Sequence, residues 1–175
     1  EIDMGAASIK MNDDGSFNLL IGATDLGTGS DTALGQIAAE ELGVSIEKMI
    51  VYSSDTDLTP FDVGAYACST TYLSGEAVRK AAAKVKQQIM DVAAEMLHVS
   101  TDELTLANEQ VTAKNGEAVS YREIAAYSLY QNNQFQIMAN ASHVTHKSPP
   151  PFAAHFVEIE VDTWTGKIKV LNYVA

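Results

Sequence analysis

Residues 22–32 read Gly22-Ala23-Thr24-Asp25-Leu26-Gly27-Thr28-Gly29-Ser30-Asp31-Thr32. An extended run precedes them and a helical pattern follows, in which Leu34, Ile37, Ala38 and Leu42 recur three and four apart until Gly43 stops it. Strand, glycine-rich turn and helix in that order bring backbone N–H groups to a helix N-terminus. The arrangement comes again at Gly64-Ala65-Tyr66-Ala67-Cys68-Ser69-Thr70-Thr71, which opens a long helical pattern over about residues 70–97. Two such turns have the geometry of an anion or cofactor clamp.

Around them the chain alternates strands and helices. Residues 5–11 and 16–23 form a strand pair joined at Asp13-Asp14-Gly15, and Met49-Ile50-Val51-Tyr52-Ser53 adds a strand after the first helix. Residues 56–68 lose all period and hold Pro60 and Gly64, so they predict an ordered loop across the face of the domain. In the long helix, Val78, Ala81, Ala82, Val85, Ile89, Val92, Ala93 and Met96 make the apolar stripe. Lys80, Lys84, Lys86, Gln87, Asp91 and Glu95 make a solvated face.

Two capping-box patterns follow, Ser100-Thr101-Asp102-Glu103 and Ser120-Tyr121-Arg122-Glu123, the second opening a helix with Ile124, Ala125 and Leu129. Leu104-Thr105-Leu106 and Gln110-Val111-Thr112-Ala113 predict a small hairpin, with a turn at Asn115-Gly116. Strands are expected near 134–142, 154–162 and 167–174, the last two joined at Thr165-Gly166, and Pro149-Pro150-Pro151 is a stiff connector. The sum is an α+β fold, helices packed on mixed or antiparallel sheet, expected as one domain fragment over 1–175.

At 175 residues and 46% hydrophobic the chain can fill one or two small cores. Its net charge of −12 argues against nucleic acid and anionic membrane as partners. No apolar run approaches the roughly 20 residues that span a bilayer, and a single cysteine, Cys68, fits a reducing compartment, so the expected location is the cytoplasm. The chain begins without Met and ends in a strand pattern, as a piece of a longer protein would.

Neither Lys nor Arg occurs from Met11 to Glu47 or from Met49 to Val78. An anionic ligand on these turns would therefore be held by backbone N–H groups, hydroxyls and helix ends. Gly27-Thr28-Gly29 alone is not a dinucleotide fingerprint, and spacing alone favours a simple helix cap over a ligand clamp at either turn. Cys68 has no basic neighbour to activate it and reads as a small buried or loop-lining thiol. His143 and His146 lack a third ligand nearby, His155 reads as a surface or cross-strand residue, and Asp55 with Asp57 reads as turn chemistry.

Taken together, residues 22–32, Gln36-Ile37-Ala38-Ala39-Glu40, Leu42-Gly43-Val44, Asp55-Thr56-Asp57-Leu58-Thr59-Pro60, residues 64–68 and Ser74-Gly75-Glu76-Ala77-Val78 are more specific. In this order they closely resemble the molybdopterin-binding subunit of the xanthine dehydrogenase and aldehyde oxidase family. Val157-Glu158-Ile159-Glu160-Val161-Asp162-Thr163-Trp164-Thr165-Gly166-Lys167-Ile168 resembles a strand pair late in the same domain.

The resemblance implies a molybdenum–molybdopterin cofactor, in one variant its cytosine dinucleotide form, that inserts water-derived oxygen into an N-heteroaromatic (purine-like) substrate or an aldehyde. It implies partners as well: the rest of the molybdenum subunit, and iron–sulfur (2Fe-2S) and flavin (FAD) subunits or domains that carry electrons away. Carried over by position, Gly27, Thr28 and Gly29 would meet the pterin or its phosphate, and Ala67, Cys68, Ser69 and Thr70 the phosphate end or pterin. The chain departs from the family pattern at Asp25 and Thr28, where glutamate and glutamine are usual, and at Cys68 and Ser69, where serine is often followed by arginine. The family's catalytic glutamate is expected beyond Ala175, so no residue here is assigned as catalytic and the isolated chain is expected to be inactive. Two other readings stand beside this one: a non-catalytic scaffold or assembly module of such a complex, and a reductive dehydroxylase of an aromatic thioester.

Overall fold

Apolar residues alternate along the first strands, and this alternation selects the face of the sheet that is covered. In the computed structural model, which describes residues 3–131, 134–147, 150 and 152–175, β1 (Met4–Met11) pairs antiparallel with β2 (Phe17–Ile21). β3 (Met49–Ser53) lies parallel to β2, as a strand reached through a crossover helix must. β7 (Met138–Val144) closes the other edge against β1, giving the order β3-β2-β1-β7. The register stacks apolar residues in rows across three strands, Met11–Phe17–Met49 and Ile9–Leu19–Val51, while the third row, Ala7–Ile21, ends at polar Ser53.

Two helices cover that face. α1 (Ser30–Leu42) is the crossover, burying Leu34, Ala38 and Leu42, and it ends where Gly43 turns left-handed at φ 64°. The second helix opens with one π turn, Thr70–Ser74, and continues as α2 (Gly75–Leu97), packed on β1, β7 and α1. The expected stripe is buried from Val78 to Ala93, with Met96 only partly so. Each Leu, Ile or Val buried in this way contributes about 1.5–3 kcal/mol, whereas the exposed Arg79–Glu76 ion pair is screened by solvent and adds little, so the stripe holds the helix in place.

The polar face of α2 is not simply solvated. Lys84 Nζ donates to the Asn140 carbonyl (2.9 Å), Lys80 Nζ lies 3.0 Å from His143 Nδ1, and Lys86 pairs with Glu41 (3.2 Å). The first two cations sit over the neighbouring strand β7, a tertiary contact invisible to helical periodicity.

A second layer holds the antiparallel meander β4 (Leu104–Ala107), β5 (Gln110–Ala113) and β6 (Ala118–Ser120), followed by α3 (Tyr121–Tyr130). β6 lies beyond the hairpin that periodicity predicts. The capping box at Ser120 and Glu123 forms. The one at Ser100 does not: its hydroxyl turns to Asp102 and only a 3₁₀ turn, Thr101–Glu103, precedes β4. Tyr121 is buried edge-on to Phe17 at 5.9 Å and donates to the carbonyl of Leu42, which joins α3 to the end of α1. β7 starts later than the pattern suggests, because Gln134 is left-handed (φ 47°) and the next N–H, of Phe135, returns to the Ser128 carbonyl.

Residues 1–145 form one compact unit and residues 146–175 a second. The second contains the antiparallel ribbon β8 (Phe156–Val161) and β9 (Ile168–Val174), with a bulge at Glu158 and Ile159. Its turn is built on Asp162, which accepts from Trp164 N (2.9 Å) and Thr165 N (3.1 Å). His155 lies just before β8, with its Nδ1 2.9 Å from the Tyr173 hydroxyl of β9. Pro149 and Pro151 of the expected connector lie outside the described residues. No helix among the described residues is long and apolar enough to cross a membrane.

Candidate cofactor cleft

The two glycine turns, separated in sequence by all of α1 and β3, meet in space. Leu26, Thr28, Ser30 and Ala33 from the first, with residues 65–71 from the second, line one cleft of about 480 Å³, a volume in the range of small-molecule sites. Of the predicted site residues, Thr28, Ala67, Cys68, Ser69 and Thr70 line it directly. Gly27 and Gly29 shape the turn beside it with φ 91° and 73°, and a Cβ on either would meet open space.

The first turn is not an empty clamp. Asp25 Oδ1 accepts the N–H groups of Gly27 (2.8 Å), Thr28 (2.9 Å) and Gly29 (3.1 Å), and Oδ2 accepts that of Asp31 at 3.4 Å. Burial raises the Asp25 pKa, but the four N–H donors lower it by more, so the carboxylate titrates below its ordinary range. The chain has thus supplied its own anion to the nest at this helix end.

The second turn is built differently. Ala67 and Cys68 both take left-handed backbone angles (φ 50° and 59°), a conformation that costs a side-chain-bearing residue on the order of 1–3 kcal/mol. Ser69 is buried and gives both its hydroxyl (2.8 Å) and its N–H (3.0 Å) to the Tyr66 carbonyl, so it fixes the turn and keeps only acceptor capacity. The first N–H groups of the helix that starts here have no partner within it, as at every helix N-terminus. Cys68 lines the loop as expected, yet it is exposed rather than buried, because the left-handed turn lifts it off the core.

The long loop that delivers this turn is anchored through Asp62. Its Oδ1 accepts from Gly64 N (2.8 Å), its Oδ2 from the Ser74 hydroxyl (2.6 Å), and its backbone bridges to Gly5 of β1. Asp55 takes the N–H of Asp57 (2.9 Å), which is turn chemistry. Among the described residues no group of three or more His, Cys, Asp and Glu side chains is placed to hold a metal ion.

Two buried polar atoms near α1 have no hydrogen-bond partner: Ser30 Oγ and Asp31 Oδ1. Ser30 faces the cleft, whereas Asp31 lies outside its lining and uses its other oxygen to accept from the Ser53 hydroxyl at 2.9 Å. Sequence reasoning passed over Ser30; its position as the first residue after Gly29 was the available signal.

The family model described as the molybdopterin cofactor-binding domain matches residues 2–175. The xanthine dehydrogenase molybdenum-binding subunit of Escherichia coli O157:H7 is 35% identical over 174 residues, 97% of this chain and 23% of that protein. Subunit gamma of the 6-hydroxypseudooxynicotine dehydrogenase complex of Paenarthrobacter nicotinovorans is 31% identical over 171 residues, 94% of this chain and 22% of that one. Among solved structures, the reconstituted CO dehydrogenase from Oligotropha carboxidovorans matches with a TM-score of 0.77 at 26% identity, over 97% of this chain and 22% of that chain. The chain thus spans under a quarter of the length of these relatives. It belongs to the molybdopterin cofactor-binding domain family, of the xanthine dehydrogenase type.

Proposed function

We propose that the cleft between the two turns holds the molybdopterin cofactor for an oxidoreductase that hydroxylates an N-heteroaromatic compound or an aldehyde. The observation that carries this reading is the meeting of Thr28 and residues 67–70 in one cleft whose lining contains no Lys or Arg. An uncharged, hydroxyl-rich wall with a helix N-terminus suits a phosphate-bearing pterin, and the unpartnered Ser30 Oγ marks the wall as one built to receive polar atoms.

With Asp25 filling the first nest, the division of labour between the turns follows. Gly27 and Gly29 keep that turn thin, Thr28 offers its side chain, and the phosphate end goes to the second turn at Ala67, Cys68 and Thr70. Ser69 holds the second turn in shape through the Tyr66 carbonyl. Any chemistry would come from the bound group, which when present inserts a water-derived oxygen into the substrate. This chain's share is to bind and orient it.

On this reading the remainder of the subunit and iron–sulfur and flavin partners complete the enzyme, the cofactor takes either its simple or its cytosine dinucleotide form, and the complex works in the cytoplasm. The filled nest at Asp25 favours the scaffold reading as the alternative. The full-length protein, purified with its partners, is expected to carry about one molybdenum and one pterin per copy. Metal and pterin analysis finding none would overturn the catalytic reading in favour of the scaffold.

A further inference from the structure

We propose that Ser30 is a further cofactor-contact residue, donating its hydroxyl to an acceptor atom of the group held in the cleft; this rests on the reading above. Four serines are buried among the described residues, and three of them have satisfied hydroxyls: Ser69 on the Tyr66 carbonyl (2.8 Å), Ser74 on Asp62 (2.6 Å) and Ser128 on the Ala125 carbonyl (3.0 Å). Ser30, 4% exposed, has none.

The topology explains why. A serine inside a helix commonly returns its hydroxyl to a carbonyl one turn back, as Ser128 does. Ser30 is the first residue of α1, so no helical turn precedes it, and the residue before it is Gly29 in the left-handed conformation. The N–H groups on either side of it, of Gly29 and Asp31, are turned to Asp25. Ser30 Oγ is therefore a buried side-chain donor left without a partner at this end of α1, and it lies in the lining of the cleft between Thr28 and Ala33. A hydroxyl buried without a partner costs the folded protein stability, a cost that a bound acceptor cancels. The pterin ring system presents such acceptors in its carbonyl and ring nitrogens.

The test compares wild type with Ser30→Ala in the full-length protein purified with its partners. It measures pterin and molybdenum per copy, the rate of cofactor loss on dilution, and thermal unfolding of the loaded and cofactor-stripped forms. Ser30→Ala is expected to lose cofactor about tenfold faster, the equivalent of one buried hydrogen bond. It is also expected to lower the melting temperature of the loaded form while leaving that of the stripped form unchanged or raised. This opposition of sign is the signature, since a structural or water-bridged serine would move both forms the same way. Equal cofactor loss from a loaded wild type and a loaded variant, or parallel shifts of both melting temperatures, would overturn the role of Ser30 and leave the proposed function standing. A wild type without pterin would overturn both.

Discussion

Asp25 shows how one side chain changes the meaning of a motif. The glycine turn looks like a receptor for a foreign anion, but a carboxylate two residues before Gly27 already occupies it. Because its folded pKa is lowered, the stabilisation it gives is complete above the ordinary aspartate range and fades as pH falls through the lower folded value. Amide exchange at Gly27, Thr28 and Gly29 is therefore expected to speed up below about pH 4, relative to amides in the strands, once intrinsic rates are removed. Asp25→Ala is expected to show the fast exchange at neutral pH with no acid dependence of its own. A turn that stays equally protected in the variant would show that the loop is held by something other than this carboxylate.

At the scale of elements, the cleft depends on a close approach. A Cβ on Gly22 would sit 2.2 Å from the Pro60 carbonyl oxygen and 2.8 Å from Asp62 Cβ, atoms of the loop that carries the second turn. Gly22→Ala must push that loop away, and since Asp62 also holds Gly64 and Ser74, the second turn moves with it. We expect a loss of about 1–3 kcal/mol in chemical denaturation together with weaker cofactor retention. Ser120→Ala probes an element far from the cleft. It removes a complete capping box from α3 and is expected to cost about 1 kcal/mol while leaving cofactor content unchanged. Retention falling in Ser120→Ala as much as in Gly22→Ala would show that both act through global stability and not through the loop.

For the molecule as a whole, charge sets the terms of binding. The chain carries a net charge of −12, and the cleft lining has no cation to offset it. Its field repels an anionic ligand, and salt screens that repulsion. Cofactor loss from the full protein is thus expected to be no faster at about 500 mM NaCl than at about 50 mM, whereas a lysine or arginine clamp would release its ligand as salt rises. A steep rise in the loss rate with salt would place the main grip on cations outside this chain.

Whatever depends on neighbours along the chain could be read from the residues alone. Strand alternation around Asp13-Asp14-Gly15, the stop of α1 at Gly43, the stripe of α2 and the capping box at Ser120 are all local, and all stand in the structure. The two turns were legible as helix starts for the same reason. Contacts between residues far apart, or competing for one partner, were settled by the fold. It brought Thr28 to residues 67–70, laid Lys80 and Lys84 over β7, turned the Ser100 hydroxyl to Asp102 and raised Cys68 to the surface. It also filled the first nest with Asp25 and left Ser30 Oγ without a partner. A motif states which donors a turn owns; which of them stay free depends on every acceptor the fold brings within reach.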